Sequence, residues 1–97
     1  MQHNNLRELL RAHIGLPCAY CGKPMEHPTR DHIRPVRFGG SLTDDNKVVV
    51  CRSCHDDKDY LPLKDWLRRL RGENDPREPI VNVFRAARKA AEALLAA

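Results

Sequence analysis

The chain opens on a helical pattern: Leu6, Leu9, Leu10 and Ile14 recur at spacings that place them on one face. Asn5 stands where a cap belongs, Glu8 three residues on completes a capping box, and Gly15 marks the stop, which predicts a helix over about 5–14. From Met25 to Ile33 the residues read as a short strand, which Pro28 confines to a sheet edge because it cannot donate to a ladder. Lys47 to Val50 is the better-marked strand, since Val48, Val49 and Val50 are β-branched. Between them, Arg34 to Asn46 is polar and carries Gly39-Gly40 and Asp44-Asp45-Asn46, so it reads as a long surface loop and not a tight hairpin. A short helix is expected after Cys51, through His55, Lys58 and Tyr60. Pro62 then opens another over about 62–71, with Leu63, Trp66, Leu67 and Leu70 in one stripe and Gly72 as its end. Trp66 belongs to that stripe and is read as core, not as a platform for stacking bases. Glu73 to Pro79 reads as a polar linker, and Ile80, Val83, Phe84, Ala87, Ala91, Leu94 and Leu95 mark an amphipathic helix over about 79–96.

This alternation of helical and strand patterns predicts an α+β fold, and 97 residues are enough for one domain with a modest core. Hydrophobic residues make up 41% of the chain and charged ones 31%, which excludes disorder throughout. The longest apolar run in the middle of the chain, Val48 to Cys51, is far short of the roughly 18 residues of a membrane span. Met1, Gln2, His3 and Asn4 do not start a secretory signal, so a reducing, cytoplasmic compartment is expected. A net charge of +4 favours an acidic partner only weakly. Four metal-bound thiolates would change the balance by about −4 and their ion by about +2, so where the arginines lie matters more than their sum.

The four cysteines fall in two matched pairs, Cys18-Ala19-Tyr20-Cys21 and Cys51-Arg52-Ser53-Cys54. A two-residue gap lets both sulfurs of a pair reach one ion from a single turn, and two such pairs complete a tetrahedral structural Zn2+ site. Two matched pairs disfavour a redox dithiol, and a reducing compartment disfavours disulfides. The stretch between the pairs exceeds the usual zinc-ribbon spacing of about 15–20 residues, so the ion closes a loop that holds further structure.

That loop carries Arg30-Asp31-His32-Ile33-Arg34-Pro35, then Gly39-Gly40, then Asn46, and it leads into Cys51-Arg52-Ser53-Cys54-His55 with Lys58 three residues on. In this order the residues from about Cys18 to Lys58 resemble the HNH endonuclease family, in its subgroup with four zinc-binding cysteines. The resemblance implies a zinc-stapled ββα-metal core, two antiparallel strands joined by a long loop and followed by a helix, here with N- and C-terminal helices flanking it. It also implies a hydrolase acting on DNA phosphodiester bonds. Position by position, His32 corresponds to the first histidine of the family, Asn46 to the middle asparagine and His55 to the last histidine; Asp31 corresponds to a metal-binding aspartate.

The chemistry accounts for these residue types. Hydrolysis of an anionic phosphodiester needs a base to take a proton from water and a cation to offset the charge that builds on phosphate and leaving oxygen. A neutral imidazole at His32 suits the first task. A carboxylate at Asp31 and an imidazole at His55 suit the second, holding Mg2+, Mn2+ or another transition metal with positions left for water and phosphate. The resemblance further implies departure of the 3′ oxygen, with Asn46 tying the loop and orienting His32. One tension stands: neighbouring strand residues point to opposite faces, yet Asp31 and His32 must serve one site, which calls for a strand end or a bulge.

Arg30, Arg34, Arg37, Arg52 and Lys58 surround the motif and are candidate phosphate contacts. Arg68, Arg69 and Arg71, and then Arg85, Arg88 and Lys89, extend the basic character. The expected partner is double-stranded DNA and not a membrane, with a protein partner or homodimer left open, and the family resemblance suggests a bacterial or phage-infected cell. His13 suits a helix C-terminus, and His27 reads as a strand or loop residue. A non-catalytic zinc-ribbon module that holds nucleic acid is the alternative, and a protein-interaction zinc domain a third reading. The first of these would not need Asp31, His32 and His55.

Overall fold

Strand β1, Pro28–His32, pairs antiparallel with β2, Lys47–Cys51, from Pro28 opposite Cys51 to His32 opposite Lys47 with no bulge. The structure, a computed structural model, describes residues 2–96, with side chains from Asn5 onward. Proline and aspartate are poor strand formers, so β1 owes its extended form to its valine-rich partner. Pro28 takes the first strand position, where its missing donor costs no ladder bond. Directly opposed residues share a face, so Thr29 and Asp31 lie with Val50 and Val48 on the side that the following helix covers. Helix α1, Gln2–Ala12, packs against β1.

The loop between the strands is ordered by short-range chemistry. It contains two 3-10 turns, Val36–Phe38 and Asp44–Asn46. Gly39 takes a left-handed φ of 87°, and a Cβ on Gly40 would stand 1.7 Å from the Arg34 carbonyl oxygen, so neither position accepts a side chain easily. The buried Asn46 amide closes the loop: its Oδ1 accepts from the Arg34 amide at 3.0 Å, and its Nδ2 donates to the carbonyls of Arg34 and Ser41 at 2.9 and 2.8 Å.

Helix α2, Arg52–Lys58, leaves β2 without a gap and crosses the strands. Asp59, at φ 53°, ends it. Helices α3, Leu63–Gly72, and α4, Glu78–Ala96, pack together and supply much of the apolar core. All four residues of the expected stripe, Leu63, Trp66, Leu67 and Leu70, are buried. Burying a side chain of this kind is worth about 1.5–3 kcal/mol. Trp66 packs against Tyr20 with ring centroids 5.1 Å apart, and Phe84 meets Tyr20 edge-on at 5.5 Å. The mixed fold expected from the sequence, a two-stranded antiparallel sheet among helices, is present.

Several local expectations change, the first being the strand expected over Met25 to Ile33, which is confined to Pro28–His32. Helix α1 begins at Gln2, so Asn5 lies within it and is not its cap; it stops at Ala12, and the His13 ring bonds the Leu9 carbonyl at 2.7 Å. Helix α3 includes Gly72, and the left-handed residue after it is Asn74, at φ 52°. The expected linker is pinned: Arg77 donates to Asp57 at 2.7 Å and to Asp75 at 2.8 Å, and Asp57 also accepts from Trp66 Nε1 at 3.0 Å. Arg77 holds the Asp75 carboxyl down to about 2 by hydrogen bonding to it. On α4, Val81 is the fully buried residue, whereas Ile80, Val83, Leu94 and Leu95 are exposed. Tyr20 and α3 select the face of α4 that turns inward, and periodicity alone could not identify that neighbour.

Candidate active site and metal centre

The cysteine pairs meet as their spacing predicts. Cys18 and Cys21 sit on a tight knuckle between Pro17 and Pro24, closed by bonds from the Cys18 amide to the Lys23 carbonyl and from the Gly22 amide to the Cys18 carbonyl. Cys51 ends β2 and Cys54 lies in the first turn of α2. The four sulfurs lie within 4.8 Å of one another. Backbone amides of Tyr20 and Cys51 both point at Cys18 Sγ at 3.3 Å. A hydrogen bond from Cys54 and these amides hold the Cys18 thiol down to about 4, despite burial. Four convergent sulfurs with amide donors fit a structural zinc ion, which supplies cross-linking and no open position.

Against the same helix, α2, lies a cleft of ≈ 430 Å³ lined by Asp31, His32, Arg37, Arg52, His55 and Tyr60. A larger cavity of ≈ 830 Å³ lies over the cysteine knuckles and contains none of the Asp31, His32 and His55 side chains. His32 is the last paired residue of β1, so the strand ends there and both it and Asp31 line one cleft; the end, not a bulge, resolves the tension of strand alternation.

Asp31 is buried, with 2% of its surface exposed, and its two oxygens differ. Oδ2 accepts from the Tyr20 hydroxyl at 2.8 Å and lies 3.1 Å from Lys58 Nζ. Oδ1 faces His55 Nε2 at 3.7 Å. The other ring nitrogen of His55 contacts Thr29 Oγ1 at 2.8 Å, and that hydroxyl donates to the Val50 carbonyl at 3.2 Å. The Nδ1 contact with Thr29 leaves Nε2 as the ring nitrogen that faces Asp31. One carboxylate oxygen and one imidazole nitrogen are thus presented together. These donors fit a divalent cation that keeps most of its positions for water and phosphate.

Lys58 departs from the expectation of a phosphate contact: it is fully buried, and its ammonium also donates to the His32 carbonyl at 3.0 Å. Burial pushes its pKa down and Asp31 opposes that shift. Arg37 and Arg52 line the cleft, whereas Arg30 lies toward α1 and Arg34 turns its Nε to the Phe38 carbonyl at 2.6 Å. Asn46 bonds the loop backbone, and among the described residues its side chain makes no hydrogen bond to the His32 ring; its part is to hold the loop. His27 is exposed and lines other recesses.

Sequence reasoning missed two contributors. Thr29 could have been found from strand alternation, because it shares the face of Asp31 two residues on. Tyr20 had no comparable signal, since its contact with Asp31 depends on how the knuckle docks on the sheet. Among the described residues no helix is long and apolar enough to cross a membrane.

No curated protein matches the chain. The family model of the HNH endonucleases matches residues 18–60, the segment that holds the cysteine cluster, the strand pair and the cleft. Order, fold and family model agree over residues 18–60, the segment that matches the HNH endonuclease family.

Proposed function

We propose that the protein is a metal-dependent endonuclease that hydrolyses phosphodiester bonds of double-stranded DNA. The observation that carries this reading is the pairing of Asp31 Oδ1 with His55 Nε2 in a cleft that His32 also lines. A zinc module that only binds nucleic acid has no use for two such donors beside an accessible imidazole. Asp31 and His55 hold the cation, Mg2+ or Mn2+, which when bound offsets negative charge on phosphate and on the leaving 3′ oxygen. His32 accepts a proton from the attacking water. Lys58 holds the backbone at His32 and the carboxylate at Asp31 in one relative placement. Arg37, stacked 5.5 Å from the rings of both Phe38 and Tyr60, and Arg52 are placed to pair with phosphate oxygens beside the scissile bond. The ends produced are 5′-phosphate and 3′-hydroxyl.

Supercoiled plasmid incubated with Mg2+, Mn2+ or excess chelator tests this. Wild type is expected to nick or linearise the plasmid only with metal, and His32→Ala to lose about 10²–10⁴-fold in rate while keeping its zinc and melting temperature. Absence of cleavage by folded, zinc-loaded wild type with either metal would reject catalysis and leave the nucleic-acid-binding module.

A further inference from the structure

Among the described residues, Tyr20 is the one that hydrogen-bonds to both centres. Its backbone amide donates to Cys18 Sγ at 3.3 Å, and its hydroxyl donates to Asp31 Oδ2 at 2.8 Å. The ring between them is fully buried, clamped by Trp66 and Phe84. It therefore has little freedom to move independently of the knuckle.

We infer that Tyr20 is a positioning residue that couples the cysteine knuckle to the reactive carboxylate, so that closing the zinc site sets the orientation in which Asp31 receives the second metal. The inference rests on the reading of Asp31 and His55 as ligands. A carboxylate has two oxygens that exchange roles by rotation about its last bond. Here both protein donors, the Tyr20 hydroxyl and the Lys58 ammonium, lie on Oδ2, which leaves Oδ1 toward His55. The donors differ in charge. Lys58 repels an incoming cation as well as orienting the carboxylate, whereas Tyr20 orients it without that repulsion. Removing the phenol hydroxyl alone is thus the clean perturbation, and groups that orient a metal ligand typically contribute about 10–100-fold in metal affinity.

The experiment titrates Mn2+ into zinc-loaded protein without DNA and follows the free ion by electron paramagnetic resonance. The relevant binding is the fraction lost in His55→Ala. Tyr20→Phe keeps the ring in its aromatic cluster and is expected to raise the Mn2+ Kd at that site about tenfold or more, with zinc content unchanged. Phe84→Leu loosens the same cluster and spares the hydroxyl; it is expected to lower the melting temperature at least as much and to leave the Mn2+ Kd within about twofold of wild type. Equal Mn2+ affinity in wild type and Tyr20→Phe overturns the inference, as does an equal loss in Phe84→Leu, which would assign the effect to core loosening. Absence of any His55-dependent Mn2+ binding in wild type overturns it together with the metal site. Weakened binding in Tyr20→Phe in a protein that cleaves no plasmid upholds the positioning role of Tyr20 and rejects only the nuclease reading.

Discussion

The segment from Cys18 to Lys58 and the helical flank of α3 and α4 achieve order by different means. The first contains all three buried polar or charged residues among those described, Asp31, Asn46 and Lys58, and each is held by several hydrogen bonds or ion contacts. Such groups are costly to bury and are tolerated only when their partners are fixed. The flank instead buries Leu63, Trp66, Leu67, Leu70 and Val81 and turns its charges outward or into the Arg77 cluster. Apolar burial is forgiving of small displacements, whereas a network of directional bonds is not. The cysteine cluster, which fits a zinc ion, gathers the polar segment at one end, and the flank seals its inner side where Trp66 and Phe84 pack on Tyr20.

This contrast can be broken most forcefully at the cysteine cluster. Structural zinc in small domains carries about 10–16 kcal/mol of apparent binding free energy, so removal of the ion with a strong chelator is expected to abolish cooperative unfolding of the chain. Circular dichroism with a thermal scan would detect this; an unchanged transition in zinc-free protein would mean that the flank alone sustains the fold. Next in size is Leu70→Ala, in the flank. It is expected to cost about 2–5 kcal/mol in denaturant unfolding and to leave the Mn2+ Kd unaltered. A large change in metal affinity would show that the two regions are less separable than their packing implies. The smallest effect is expected from Asn46→Ala, which deprives the Arg34 and Ser41 backbone groups of their partner at a cost of about 1–3 kcal/mol. Its signature is disproportionate: plasmid cleavage should fall further than that stability loss explains, because the loop that follows His32 loosens. Loss of stability with full cleavage in the folded fraction would confine Asn46 to the scaffold.

How far the site was legible follows the same division. The paired cysteines, the Asp31-His32 pair, Asn46 and His55, which directly follows Cys54, are recognisable without any knowledge of their positions in space; their order along the chain is enough for the resemblance that the family model matches over residues 18–60. Thr29 lay within reach of the same reasoning through strand alternation. Lys58 did not, because a lysine near a basic motif reads as a surface residue until a buried carboxylate is found opposite it. The inward face of α4 escaped for a similar reason: Ile80 and Val83 are as apolar as Val81, and only the position of Tyr20 and α3 separates them.

The sequence by itself determined which donor types the two clusters carry, because ligand type and spacing are local properties that survive any arrangement of the rest: the cysteine pairs, Asp31-His32, Asn46 and His55. It also determined the valine-rich strand β2 and the buried stripe of α3, which β-branched content and helical periodicity encode. Only the tertiary structure decided that Tyr20 reaches Asp31, that Lys58 turns inward, and that Arg37 and Arg52, not Arg30 and Arg34, face the cleft. Those are contacts between residues distant in the chain, and periodicity states which side chains share a face without stating what that face will meet.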